Sequence, residues 1–132
     1  MVNKFVYFRL LDLRNGSKAQ KAFIDLTYNL LFLMILDLFY KQGYINGYYF
    51  ITKFKVRIFY KYYNGFSILN GLNFDLRNCY FSYKSLYYLF YFSLLRVRYF
   101  YFFSTIYGFY SLEEIFYRDL HVGGVLYFYI KL

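Results

Sequence analysis

The chain has 132 residues, enough for one ordinary domain or two small ones, and its Lys and Arg outnumber Asp and Glu 16 to 7, for a formal net charge of +9. That balance favours a polyanionic partner, either nucleic acid or an anionic membrane surface, because soluble domains usually mix both signs. A single cysteine and a single histidine exclude an internal disulfide framework and are too few for a zinc site. With scattered carboxylates and no Walker-type glycine loop, no enzyme, cofactor, metal or small-molecule substrate is expected.

In chain order, Val2, Val6, Leu10 and Leu13 form a helical stripe, with Lys4, Arg9 and Asp12 off it. This predicts a helix over Val2 to Leu13 that Asn15-Gly16 ends, since both residues tolerate a left-handed backbone. Lys18 to Lys21 is polar, and Ala22 to Leu26 reads as a short strand. Asn29 to Gln42 is the strongest helix: Asn29 caps it, Leu30, Leu33, Met34 and Phe39 supply its core face, and Gly43 stops it. Asn46-Gly47 is a tight-turn pair. Lys53 to Ile58 alternates charged and apolar residues, as a strand with one wet face does.

Asn64-Gly65 is a second turn pair and the expected domain boundary, dividing the chain into 1–65 and 66–132. Ser67 to Asp75 fits no single element. Phe81 to Leu89 and Arg96 to Phe103 read as strands, the second placing Arg96 and Arg98 on one sheet face. Ser111 and Glu114 have capping-box spacing and open a short helix, and Gly123-Gly124 leads into a closing strand, Val125 to Ile130. The expected fold is α+β in two small lobes. The N-terminal lobe is helix-strand-helix-strand-strand, and the C-terminal lobe is mostly antiparallel β with a short helix.

Aromatic residues make up 30% of the chain, with no Pro and no Trp, which is a physical optimum for no fold. Phe, Tyr, Leu, Ile, Asn and Lys have A- and T-rich codons, so the skew points to an AT-rich genome such as an organelle's. The longest runs free of Lys, Arg, Asp and Glu fall short of the roughly 20 residues a spanning helix needs, and no transmembrane segment is expected. Arg9, Asp12 and Arg14 break up the first apolar stretch, which also argues against a secretory signal.

Basic residues cluster in two stretches without acids: Lys41, Lys53, Lys55, Arg57 and Lys61 lie between Asp37 and Asp75, and Arg77, Lys84, Arg96 and Arg98 lie between Leu76 and Leu112. Inside the aromatic last third, Ser104-Thr105-Ile106-Tyr107-Gly108 gathers small polar groups where a ligand can come close. Basic surroundings make that ligand an anion, and the loop reads as an RNA contact.

Several motifs bear a family likeness. Arg14-Asn15-Gly16, then Gly43-Tyr44-Ile45, Lys61-Tyr62-Tyr63-Asn64-Gly65, Tyr83-Lys84, the Ser104 to Gly108 loop and Gly123-Gly124 follow one another with long ungapped spacings. In this the chain resembles the bacterial-type small-subunit ribosomal protein eight family, from about Leu10 to Ile130. It departs at Thr27-Tyr28-Asn29, where the family has a proline loop. It departs again at Arg77-Asn78-Cys79-Tyr80-Phe81, where only the first arginine of the family's Arg-Pro-Gly-x-Arg remains.

The resemblance implies a structural protein that binds the central domain of small-subunit ribosomal RNA during assembly, beside neighbouring small-subunit proteins. Its RNA-contact set would be Ser104, Thr105, Gly108, Gly123, Gly124, Tyr83, Lys84, Arg77, Arg14, Asn15, Lys21 and Lys55. Tyr83 either stacks on a base or packs in the fold. The AT-driven composition and the lack of an import leader predict a mitochondrial ribosomal protein of the matrix encoded by the organelle itself. The alternatives are a basic, aromatic peripheral membrane protein and an accessory respiratory-complex subunit of an organelle.

Overall fold

The structure is a computed structural model that describes residues 4–73, 79–95, 99–118 and 120–131. The fold is α+β with two antiparallel sheets, and the chain divides between Gly71 and Leu72 into two compact units.

The first unit runs α1 (Lys4–Lys18), β1 (Phe23–Thr27), α2 (Leu30–Gln42), β2 (Ile45–Phe50), β3 (Lys55–Tyr60) and a 3-10 turn (Ile68–Gly71). The sheet order is β1-β3-β2, so β3 lies antiparallel between the two strands that α2 connects, a split βαβ unit. Alternation along β3 buries Val56, Ile58 and Tyr60. Val6, Leu10 and Leu13 of α1, with Phe32, Ile35, Leu36 and Phe39 of α2, are buried with them. The result is two layers, helices on sheet.

Helix α1 does not stop at Asn15-Gly16 but continues to Lys18. Gly16 is interior and buried because Tyr60 needs the room: a Cβ at position 16 would collide with the Tyr60 hydroxyl. That hydroxyl donates to the Leu13 carbonyl at 2.9 Å. The chain leaves the helix after Lys18 through Gln20, a non-glycine residue at φ 57. There the Gln20 N–H donates to the Ser17 carbonyl (3.1 Å) and the Lys21 N–H to the Gly16 carbonyl (3.2 Å), a Schellman ending.

Helix α2 has the expected caps. Asn29 Oδ1 accepts from the Phe32 N–H at 2.8 Å, and Gly43 sits at φ 80. Its core face is not the expected one: Leu30 is 76% exposed and Met34 is exposed, while Phe32, Ile35, Leu36 and Leu38 join Phe39 in the core. Residues 30 to 36 are apolar all round, so periodicity there is silent. Asp37 and Lys41 continue the exposed Leu30–Met34 side one and two turns on, but within the apolar run itself packing selects the buried face.

Asn46-Gly47 is not a turn but part of β2. The register shifts between Ile45 and Gly47, and Asn46 Nδ2 donates to the Tyr60 carbonyl at 3.1 Å, so the pair forms a bulge. The β2–β3 connection is made by Thr52, whose Oγ1 accepts from the Phe54 and Lys55 N–H groups. Asn64-Gly65 does turn the chain, at φ 52 and 81 between the mutually bonded Tyr63 and Phe66. The unit nevertheless extends beyond it to Gly71. Leu69 is buried, and the buried Ser17 hydroxyl lies within bonding distance of the Arg14 carbonyl (2.8 Å) and Asn70 Oδ1 (2.7 Å).

The second unit contains β4 (Leu72–Asn73), β5 (Cys79–Phe81), α3 (Tyr83–Leu95), β6 (Tyr99–Thr105), β7 (Gly108–Ser111), α4 (Leu112–Tyr117) and β8 (Gly124–Lys131). Its sheet order is β4-β8-β6-β7, with β5 also paired to β8. The expected strand over Phe81 to Leu89 is mostly helix. Phe and Tyr favour strands, but Ser82 starts a helix, its carbonyl accepting from the Leu86 N–H at 3.0 Å. Leu86, Leu89 and Phe90 then fall at helical spacing onto the core of Phe103, Leu112 and Ile115. Among its described residues this unit therefore carries two helices rather than one. The capping box forms, with Ser111 Oγ accepting from the Glu114 N–H at 3.3 Å. Arg96 and Arg98 lie outside the described residues.

Two stability tests follow from this packing. Leu36→Ala is expected to cost about 2–5 kcal/mol, and Met34→Ala to stay within about 0.5 kcal/mol; equal losses in urea melts would place the core on the wrong side of α2. Gly16→Ala, which in an ordinary helix interior stabilises by roughly 0.5–1 kcal/mol, is expected here to destabilise by about 1–3 kcal/mol. A double-mutant cycle with Tyr60→Phe should show the two positions coupled, and strict additivity would refute the collision.

Candidate nucleic-acid interface

Strands β6 and β7 form a hairpin that Thr105 and Gly108 close, leaving Ile106 and Tyr107 exposed at the tip. The turn is built from its own residues. Thr105 Oγ1 donates to the Gly108 carbonyl (2.9 Å) and accepts from the Tyr107 N–H (3.2 Å). Gly108 takes φ 126, a left-handed value that favours glycine, with no steric crowding around it. The Thr105 proton is therefore committed, and one lone pair remains to offer a ligand. Ser104, half-buried one residue earlier, makes no side-chain hydrogen bond to another described residue. Its hydroxyl can both donate and accept.

The glycine pair is demanded by the strands around it. A Cβ on Gly123 would strike the Phe81 carbonyl oxygen and the Tyr80 hydroxyl, and one on Gly124 would come within 3.1 Å of the Ser104 carbonyl oxygen. Three strands thus close on bare backbone. Between them lies a cleft of about 380 Å³ lined in part by Tyr80, Ser104, Thr105, Ile106, Gly123 and Gly124. Tyr80 was not among the expected contact residues, although it is 70% exposed. It reaches the cleft only through its cross-strand pairing with Val125, which no local pattern marks.

The cleft brings together Ser104, Thr105, Gly123 and Gly124, with Gly108 holding the adjacent turn. No charged side chain lines it among the described residues. The other expected contacts lie elsewhere. Tyr83 packs its ring against His121 (5.1 Å between centroids) and Phe116 (5.8 Å). Lys84 is exposed beside it and lines a separate groove with Tyr83, Tyr87 and Tyr88. Arg14, half-buried, and Asn15, Lys21 and Lys55, all exposed, belong to the first unit. Arg77 lies outside the described residues. No group of three metal-binding side chains occurs among the described residues.

Compared with known proteins, the chain matches no family model, and no curated protein matches it.

The Thr105 hydroxyl has a testable structural role. Thr105→Val keeps the shape of the side chain but removes both turn bonds, at about 1 kcal/mol each. Hydrogen exchange of the Tyr107 amide should accelerate, while amides in the middle of β8 should keep their protection. Unchanged exchange at Tyr107 would show that the hydroxyl does not hold the turn.

Proposed function

We propose that this chain is a structural constituent of the small ribosomal subunit of mitochondria, encoded by the organelle genome, which binds central-domain ribosomal RNA and supports assembly beside neighbouring ribosomal proteins. The reading rests on the order and spacing of the motifs from Arg14-Asn15-Gly16 to Gly123-Gly124. The observation that carries it is the cleft in which Ser104 and Thr105 of β6 meet Gly124 at the start of β8 and Gly123 just before it.

The chemistry of the cleft suits duplex RNA. Such a helix hides its base edges in a deep major groove and presents 2′-hydroxyls and base edges across a shallow minor groove. The Ser104 hydroxyl can donate to or accept from either. Gly123 and Gly124 let the strands close around the cleft without side chains of their own in its lining, and the exposed Tyr80 ring supplies a flat wall. Because the lining is uncharged, the cleft reads shape and hydroxyls, while sequence-blind attraction to phosphate falls to basic residues outside it. No helix among the described residues is long and apolar enough to cross a membrane.

Ser104→Ala is the clean test, since Thr105 also holds the turn. Affinity for a small-subunit central-domain RNA fragment, measured at one fixed salt concentration, should fall about two- to tenfold, as for one lost hydrogen bond. The circular dichroism spectrum should not change. Equal affinity for the variant and the parent would remove the cleft from the RNA interface. In cell fractions the chain should sediment with the small subunit; retention in membranes after alkaline carbonate would favour the membrane alternative instead.

A further inference from the structure

The three-stranded sheet of the first unit has a second face, turned away from its helices. An antiparallel sheet with one solvated face normally dresses that face in polar side chains. Here it carries Phe23 and Asp25 from β1, Tyr49 from β2, and Lys55, Arg57 and Phe59 from β3. The register sets Phe23 opposite Phe59, and both Asp25 and Tyr49 opposite Arg57. Tyr49 and Phe59 stack with ring centroids 5.6 Å apart and planes 28° apart. The Arg57 guanidinium lies 4.3 Å over the Phe23 ring.

Asp25 keeps that guanidinium in place. Arg57 Nε donates to Asp25 Oδ1 (2.8 Å) and Nη2 to Oδ2 (3.1 Å), a bidentate fork, while Nη1 reaches the Tyr49 hydroxyl at 3.3 Å. Phe23 and Tyr49 are nevertheless 42% and 46% exposed. The face is thus a connected π surface, aromatic ring to guanidinium to aromatic ring, with its planes fixed before anything binds. Asp25 is the one carboxylate in these three strands, and Arg57 occupies it. The exposed Lys55 ammonium on the same face leaves the net charge positive.

We infer that this face is a stacking platform for single-stranded RNA, with bases laid on Tyr49, Phe23 and the Arg57 plane and the phosphate chain drawn to Lys55. Nucleobases have π faces and their backbone is anionic, which is what this surface complements. Aromatic side chains on an open sheet face stack two or three unpaired bases in this way, and guanidinium planes serve as well. The platform belongs to a different unit from the Ser104 cleft and takes a different form of RNA, so it stands whether or not that cleft binds a duplex.

The chain has no tryptophan, so Tyr49→Trp places a single indole reporter on the platform. Titration with an oligouridylate of about eight nucleotides should quench it saturably, whereas an abasic ribose-phosphate strand of equal length should not. In that background Phe23→Ala should weaken binding about 5- to 100-fold, as for one lost stacking contact, and Lys55→Ala should reduce the salt slope by about one. Ser104→Ala should leave the quench unchanged. In the parent background, filter binding of the same oligouridylate should weaken with Tyr49→Ala and survive with Tyr49→Phe. Absence of quenching, equal quenching by the abasic strand, or loss of the signal with Ser104→Ala would each overturn the assignment, as would equal filter binding by Tyr49→Ala and the parent.

Discussion

A phenol buried in an apolar core must find an acceptor, because leaving it unsatisfied costs about 1–3 kcal/mol. Tyr60 finds one in the backbone of helix α1, at the Leu13 carbonyl. Burial pushes the phenol well above its ordinary pKa range, so it stays a donor at physiological pH. Much of the first unit answers to this one bond. The ring reaches the helix only because Gly16 has no side chain, so the glycine cannot serve as a stop signal and the helix runs on to Lys18. The added turn carries Ser17 inward to meet Asn70, which ties the stretch after the Asn64-Gly65 turn back to α1. The place where the first unit ends thus depends on a contact made by its last strand.

The second unit depends in the same way on one strand. β8 pairs with β4, β5 and β6, so the β5 and β6 backbones must both fit around its start. Gly123 and Gly124 make that possible, and the cleft is a by-product of the closure. The same absence of Cβ atoms that lets the strands meet keeps side chains at positions 123 and 124 out of the cleft lining. The structural reason for these glycines stands by itself, and a substitution at either would disturb the sheet before it disturbed a ligand.

On the proposed function, charge and shape are divided between surfaces. The uncharged cleft suits close contact with sugar hydroxyls, where a misplaced charge would pay desolvation without a partner. The first unit's outer sheet face offers π surface and a surplus positive charge. The net charge of +9 then acts at longer range, raising the encounter rate with any polyanion and falling off with salt. The Arg57–Asp25 pair fits this division. Fixed by its carboxylate, the arginine contributes a plane more than a charge, and Asp25, its pKa lowered by that partner, stays ionised at neutral pH.

What the sequence determined by itself is the structure that short-range hydrogen bonding controls. Asn29 and Gly43 bound α2, Ser111 and Glu114 open α4, and alternation through Val56 and Ile58 marks a half-buried strand, because in each case the partners lie within a few residues. Ser104 and Thr105 were visible as site candidates for a similar reason, being small hydroxyl residues in an aromatic stretch. The tertiary structure decided the rest, wherever local signals were absent or opposed. Along the apolar start of α2 only packing against the sheet chooses Phe32, Ile35 and Leu36 over Leu30 and Met34. In α3 the strand preference of Phe and Tyr yields to the burial of Leu86, Leu89 and Phe90. Asn46-Gly47 becomes a bulge because Tyr60 offers its carbonyl across the sheet. Tyr80 enters the cleft through a partner far along the chain, and the Phe23–Arg57–Tyr49 surface exists only when three strands lie side by side. Each of these outcomes is set by residues distant in sequence, and a pattern read along the chain carries no term for them.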